Sequence, residues 1–170
     1  MGPKPIRRYP TRIGLSAGDG MTNAGGQLSL LLVHRDDAML HELDTAARKS
    51  GFFAPTITMT DGRFALEHVW QCIRGETNSP VPDAIVAGVR LGALNGVQLT
   101  RELRRYDETR EFFIAIMPAM AGPLDQDAAE NAGCDFFLKR PSTLAGLAKA
   151  FAAIAQRCRA KASPAWTYAA

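Results

Sequence analysis

Three apolar runs of strand length constrain the fold more than any other feature: LSLLLVH (28–34), DAIVAGV (83–89) and FFIAIMP (112–118). Successive side chains of a strand point to opposite faces, so a continuously apolar strand must be covered on both sides. That calls for a parallel sheet between two layers of helices. The segments between the runs have helical spacing. From Asp37 to Ser50, Leu40, Leu43 and Ala47 recur along one face, and Gly51 is placed to stop the helix. APTITMT (54–60) alternates and is β-branched, so it reads as a second strand. Asp61 can cap a helix running to about Ile73, with Phe64, Ala65, Val69 and Cys72 on one face.

Further along, RGETNSPVP (74–82) is a long polar loop. A helix is predicted over about 96–106, with Val97, Leu99, Leu103 and Tyr106 as its apolar positions. A shorter helix follows over about 124–132, and DFFLKR (135–140) is a fifth strand. The last helix is predicted over about 142–159, striped by Leu144, Leu147, Phe151, Ile154 and Cys158. The order is β-α five times over, which predicts a doubly wound α/β domain with right-handed crossovers. Function in such sheets gathers at the carboxyl ends of the strands.

Composition sets the remaining bounds. The chain has 170 residues, enough for one domain, with 46% hydrophobic and 22% charged residues. Net charge is +3, too small to require a nucleic-acid partner, and the excess sits in the tails (Lys4, Arg7, Arg8, Arg12; Arg157, Arg159, Lys161). Residues 1–27 are rich in Gly, Pro, Arg and Ser and read as a flexible basic tail, KPIRRYPTR included. Residues 28–159 form the domain, and 160–170 form a C-terminal extension in which Trp166 and Tyr168 either dock back or act as a short linear motif. Cys72, Cys134 and Cys158 are scattered, without a C-x-x-C, and are expected as small core residues in a reducing cytoplasm. No apolar run reaches the ~18 residues of a membrane helix, and no apolar segment follows the basic start as a signal peptide requires.

Several stretches carry a resemblance. LLLVHRDD, TMTDGRFALEHV, PDAIVAGVRLGALNG and AGCDFFLKRP resemble the motifs of response-regulator receiver (CheY-like) domains, over roughly residues 28–158. Gly88, Pro118 and Arg140 are 30 and 22 residues apart (118 − 88 and 140 − 118), as the family's aspartate, hydroxyl residue and lysine commonly are. The resemblance implies a flavodoxin-like, three-layer domain of five parallel strands in the order 2-1-3-4-5. It also implies a phosphorylation pocket: two acids holding Mg²⁺, an acceptor aspartate, and a hydroxyl and a lysine for the phosphoryl oxygens. The incoming phosphoryl group needs a cation and donors, and the acids hold that cation.

This chain departs at each of those places. The acid pair maps to His34 and Arg35, and the acceptor to Gly88. The hydroxyl position is Pro118, which lacks a side-chain donor and a backbone N–H. The lysine position is Arg140, which keeps the charge with another geometry. Phe137 retains the switch aromatic. We therefore read a degenerate receiver, or pseudo-receiver, with no catalytic residue, no metal and no cofactor. Two plainer readings stay open. A shifted register would let a nearby acid replace Gly88, although Asp83 lies five residues earlier; Asp36 and Asp37 could still hold a cation. Arg35 and Arg140 could form a rim for an anion; the preferred alternative is that they pair with Asp36, Asp37 or Asp135. His41 and His68 read as ungrouped surface or rim residues. Phe112, Phe113, Phe136 and Phe137 read as core, with Phe137 alternatively at an interface.

The function expected from these residues is a stand-alone, phosphorylation-independent protein–protein interaction module in bacterial two-component-type signalling. Its partners would be signalling proteins, among them a histidine kinase or an output protein. Helix four, strand five and helix five (about 124–158) are the expected interface, open to such a partner or to a homodimer, with no membrane and no nucleic acid. About a dozen residues follow the last helix, so no output domain is expected and an effect on transcription would need a partner. The alternatives are an atypical receiver still engaging a histidine kinase or phosphorelay, and a small anionic-ligand sensor using Arg35 and Arg140. No nucleophile–base pair is visible at the strand tips, so no enzymatic activity is expected.

Overall fold

A computed structural model describes residues 26–162. The expectations for the basic tail up to residue 25, and for Trp166 and Tyr168, lie outside the described residues. The elements run β1 (Leu28–Val33), α1 (Asp37–Lys49), β2 (Phe53–Met59), α2 (Gly62–Arg74), β3 (Ala84–Ala87), α3 (Gly96–Arg104), β4 (Phe113–Ile116), α4 (Pro123–Ala132), β5 (Phe136–Phe137) and α5 (Leu144–Ala162). All strand pairs are parallel, in the order β2-β1-β3-β4-β5. The β-α repeat predicts such a doubly wound sheet, and the flavodoxin-like order is the one the resemblance implies.

The continuous apolar runs are explained by two cores, one on each face. Leu30, Leu32, Ala84, Val86, Phe113 and Ala115 turn toward α1 and α5, where they meet Leu43, Ala47, Leu147, Phe151 and Ile154. Leu31, Val33, Ile85, Ala87, Ile114 and Ile116 turn the other way and meet Ala65 and Val69 of α2, Leu99 and Leu103 of α3, and Ala129 of α4. Phe53 and Phe151 pack edge to face with centroids 6.0 Å apart. Removing such a fully buried ring costs about 3–5 kcal/mol. Pro55, joined to Ala54 by a cis bond, is tolerated because β2 is an edge strand.

Local signals set the helix ends. Asp36 and Asp61 accept from Met39 N–H and Arg63 N–H, at 2.8 Å each, and so cap α1 and α2. Gly51 (φ 79°) and Gly133 (φ 98°) take the chain out of α1 and α4 in the left-handed region that glycine enters without penalty.

Some expectations are corrected. Phe64 is 58% exposed rather than on the buried face of α2, which is formed by Ala65, Val69, Cys72 and Ile73. Tyr106 lies beyond the end of α3 and stacks edge-on against Trp70 at 5.4 Å instead of entering the core. The fifth strand shrinks to Phe136–Phe137, although Leu138 and Arg140 N–H still bond Ile116 and Pro118 C=O at 3.1 and 2.8 Å. The last helix runs to Ala162, so residues 160–162 belong to α5 rather than to an extension. Cys72 and Cys158 are buried as expected, whereas Cys134 is half-buried.

Candidate functional site

The sheet brings the singled-out residues to one edge. Val33, Ala87, Ile116 and Phe137 stand in register across four strands. The residues just past them form a row at the carboxyl ends. Gly88 N–H bonds Val33 C=O at 3.1 Å, and Arg140 N–H bonds Pro118 C=O at 2.8 Å. His34 and Gly88 are therefore neighbours, and Pro118 and Arg140 are joined through their backbones. A cleft of about 730 Å³ opens here, lined among others by His34, Arg35, Asp36, Gly88, Pro118 and Arg140. Asp83 sits at the other end of β3, where its carboxylate accepts from Ser29 N–H at 2.8 Å.

His34 has a defined state. Its Nδ1 accepts the Asp36 N–H at 3.1 Å, so the proton of the neutral ring sits on Nε2. Burial holds its pKa below 6.5, and the positive charge of Arg140 pushes the same way. The ring is therefore mostly neutral at pH 7. It also fills space beside residue 88: a Cβ there would stand 3.3 Å from His34 Cδ2 and 3.9 Å from Nε2. Gly96 is fixed for a different reason. A Cβ on it would come within 2.0 Å of Gly88 C=O, so only glycine lets α3 start so close to β3.

The carboxylates at this edge are differently placed. Asp36 spends one oxygen on capping α1. Asp37 is exposed in the first turn of α1. Among the described residues, no three His, Cys, Asp or Glu side chains stand close enough to share a metal ion. Arg35 and Arg140 have no carboxylate within ion-pair distance among the described residues, which overturns the preferred expectation of pairing with Asp36, Asp37 or Asp135. Asp135 lies at the opposite end of the sheet. There it bonds Arg104 Nη2 at 2.8 Å, Lys161 Nζ at 3.0 Å and Ile114 N–H at 2.8 Å.

Sequence reasoning missed part of the site. Arg90, Glu42, Asp125 and Met120 also line the cleft. Arg90 follows Gly88 by two residues and could have been found from that spacing. Glu42 comes from α1 and Asp125 from α4, which only the fold brings together. Formal charge in the cleft is balanced: Arg35, Arg90 and Arg140 against Asp36, Glu42 and Asp125, with His34 neutral. The second oxygen of Asp61 accepts from Ala93 N–H at 2.9 Å and holds the loop after β3 against α2. His41 is exposed, and His68 touches Cys72 Sγ at 3.4 Å on α2. Phe137 is half-buried against the core of α2, α3 and α4. Phe136 carries the Arg157 guanidinium 4.0 Å above its ring.

No protein-family model matches the chain. The transcriptional regulatory protein PrrA of Mycobacterium bovis is 31% identical over 128 residues, which is 75% of this chain and 50% of that protein. PrrA of Mycobacterium leprae is 31% identical over 134 residues, covering 79% and 52%. The chain thus spans about half the length of the curated relatives it matches. Among solved structures, the phosphorylated cyanobacterial phytochrome response regulator RcpA superposes with a TM-score of 0.69 at 16% identity, over 81% of this chain and 98% of that one. The receiver domain of the sensor histidine kinase PA1611 from Pseudomonas aeruginosa PAO1, solved with magnesium in its active-site cleft, gives 0.62 at 23% identity, over 77% and 99%. At these identities the structures share the fold.

Proposed function

We propose that residues 28–162, whose strand order and shape match solved receiver structures, form a receiver-type (CheY-like) domain that acts in two-component-type signalling as a protein–protein interaction module independent of phosphorylation. The observation that carries this reading is the His34 ring against Gly88. The place where a receiver's acceptor carboxylate would stand holds no nucleophile, and an imidazole stands 3.3 Å from its Cβ position. Pro118 brings no hydroxyl to the next strand end. The Mg²⁺ of an active receiver does not fit these residues. The two positions that would bind it are His34 and Arg35, Asp36 is engaged as a cap, and Arg140 is close enough to lower the His34 pKa.

Interaction then falls to the surface. Met120 and Leu124, 87% and 82% exposed, mark the entry to α4. The helix itself carries Asp125, Asp127 and Glu130 with no basic residue. We assign partner binding to the face of α4, β5 and α5, with a signalling protein or a second copy as partner and the cytoplasm as the setting. Among the described residues, no helix is long and apolar enough to cross a membrane. The test is intact-mass measurement after incubation with acetyl phosphate and Mg²⁺. The unmodified mass is expected, and a stoichiometric phosphoryl adduct would overturn the reading.

A further inference from the structure

Three guanidinium groups in the cleft have no carboxylate within ion-pair distance among the described residues. Arg48, Arg74, Arg104, Arg105 and Arg110 each hold a carboxylate. Arg35, Arg90 and Arg140 line a cleft that also contains Asp36, Glu42 and Asp125, yet none of them forms an ion pair among the described residues. Two of those acids are engaged by backbone donors instead: Asp36 by Met39 N–H at 2.8 Å and Asp125 by Gly122 N–H at 3.0 Å. His34 adds a donor. With Nδ1 already accepting, Nε2 bears the proton, and Gly88 places no side chain beside it.

We propose that this cleft binds a small phosphate-type oxyanion, as inorganic phosphate or as the phosphate of a small phosphomonoester, between Arg140, Arg35 and the Nε2–H of His34. Guanidinium groups match tetrahedral oxyanions with paired donors, and a neutral imidazole N–H adds a third. No covalent step is involved. The inference rests on the reading that residue 88 carries no phosphoacceptor, since a carboxylate there would compete for the same donors.

The test is a histidine-ring and arginine-side-chain NMR titration of the full chain at constant ionic strength. Inorganic phosphate is the first probe and phenyl phosphate the second. Saturable shifts of His34 and Arg140 are expected. Arg140→Gln should weaken binding at least about tenfold, as loss of a charged hydrogen-bond donor does. The exposed Arg35→Gln, which removes no buried contact, should weaken it several-fold, and Arg101→Gln on α3 should leave it unchanged. Tighter binding of phenyl phosphate would mark a phosphomonoester as the ligand; equal binding would mark phosphate itself. Linear shifts without saturation, or an Arg140→Gln titration matching the wild type, would overturn the proposal. A failed phosphate titration leaves the reading of Gly88 standing, because only a Mg²⁺-dependent response to a phosphoryl mimic bears on that reading.

Discussion

The imidazole of His34 takes up the space beside Gly88: Cδ2 stands 3.3 Å, and Nε2 3.9 Å, from where a side chain at residue 88 would begin. An aspartate introduced at residue 88 would therefore meet an occupied space. In Gly88→Asp the new Cβ presses on the ring, which must give way by a few tenths of an ångström at a cost of about 1 kcal/mol, typical of mild overpacking. The new negative charge would raise the His34 pKa above its lowered native position. A pH titration of the histidine-ring resonances measures this, and an unchanged or lower His34 midpoint would contradict it.

At the other end of the sheet, Asp135 ties three elements together. It accepts from Arg104 at the end of α3, from Lys161 at the end of α5 and from the backbone of β4. Arg104 also donates to Gly133, Arg110 and Phe112 carbonyls. Asp135→Ala would strand two half-buried cations and a strand N–H. We expect a loss of about 1–3 kcal/mol, read from the urea midpoint with little change in slope. A loss below about 0.5 kcal/mol, the level of an ordinary exposed surface site, would show that the cluster is decorative.

Asp61 gives the domain an acid-sensitive joint. Hydrogen bonds from Arg63 N–H and Ala93 N–H hold its carboxyl below the usual carboxylate range. A depressed folded-state pKa contributes stability that is complete above the unfolded value near ~4 and is lost as pH falls through the folded one. Asp61→Asn cannot titrate, so its melting temperature should fall less than that of the wild type between neutral pH and about pH 3. Parallel curves for the two proteins would rule out this role.

Cys158 predicts the opposite dependence. Burial pushes its thiol up to about 12, and Sγ lies 3.4 Å from Asp83 C=O. With the folded pKa raised above the unfolded value of ~8.5, its contribution is complete below that pH and declines as pH rises toward 12. In the native protein Cys158 should resist thiol reagents at pH 8. Half-buried Cys134, whose pKa is also raised by burial, should react before it. Mass mapping of the modified cysteines decides the order, and early labelling of Cys158 would contradict the packing of α5.

The sheet was legible because its information is local. Apolar runs at consecutive positions fix strands covered on both faces, and the cap Asp61 fixes the start of α2, whereas the cap Asp36 emerged only in the structure. The register of His34, Gly88, Pro118 and Arg140 could also be anticipated, since each lies within two residues of the end of a strand or its ladder. What could not be read was pairing across the fold. Asp135 adjoins the fifth strand in sequence just as Arg140 does, yet it sits at the opposite end of the sheet with Arg104 and Lys161. Phe64 and Ala65 are both apolar and adjacent, but they differ by one helical step, and that step turns Phe64 to solvent. Glu42 and Asp125 have no spacing relation to Gly88, and the cleft's balanced charge follows only from the packing of α1 and α4 against the strand ends.

The most direct measurement of the central claim is an amide NMR spectrum of the full chain, titrated with Mg²⁺ and then with beryllium fluoride as a phosphoryl mimic. No Mg²⁺-dependent shift is expected at residues 34–37, 88–91 and 140, and no response spreading from Gly88 to Phe137 and α5; a response confined to His34, Arg35 and Arg140 and equal without Mg²⁺ is anion binding alone. Saturating, Mg²⁺-dependent shifts that spread from Gly88 to Phe137 and α5 would mean that a phosphorylation-type switch survives, and would contradict the central claim.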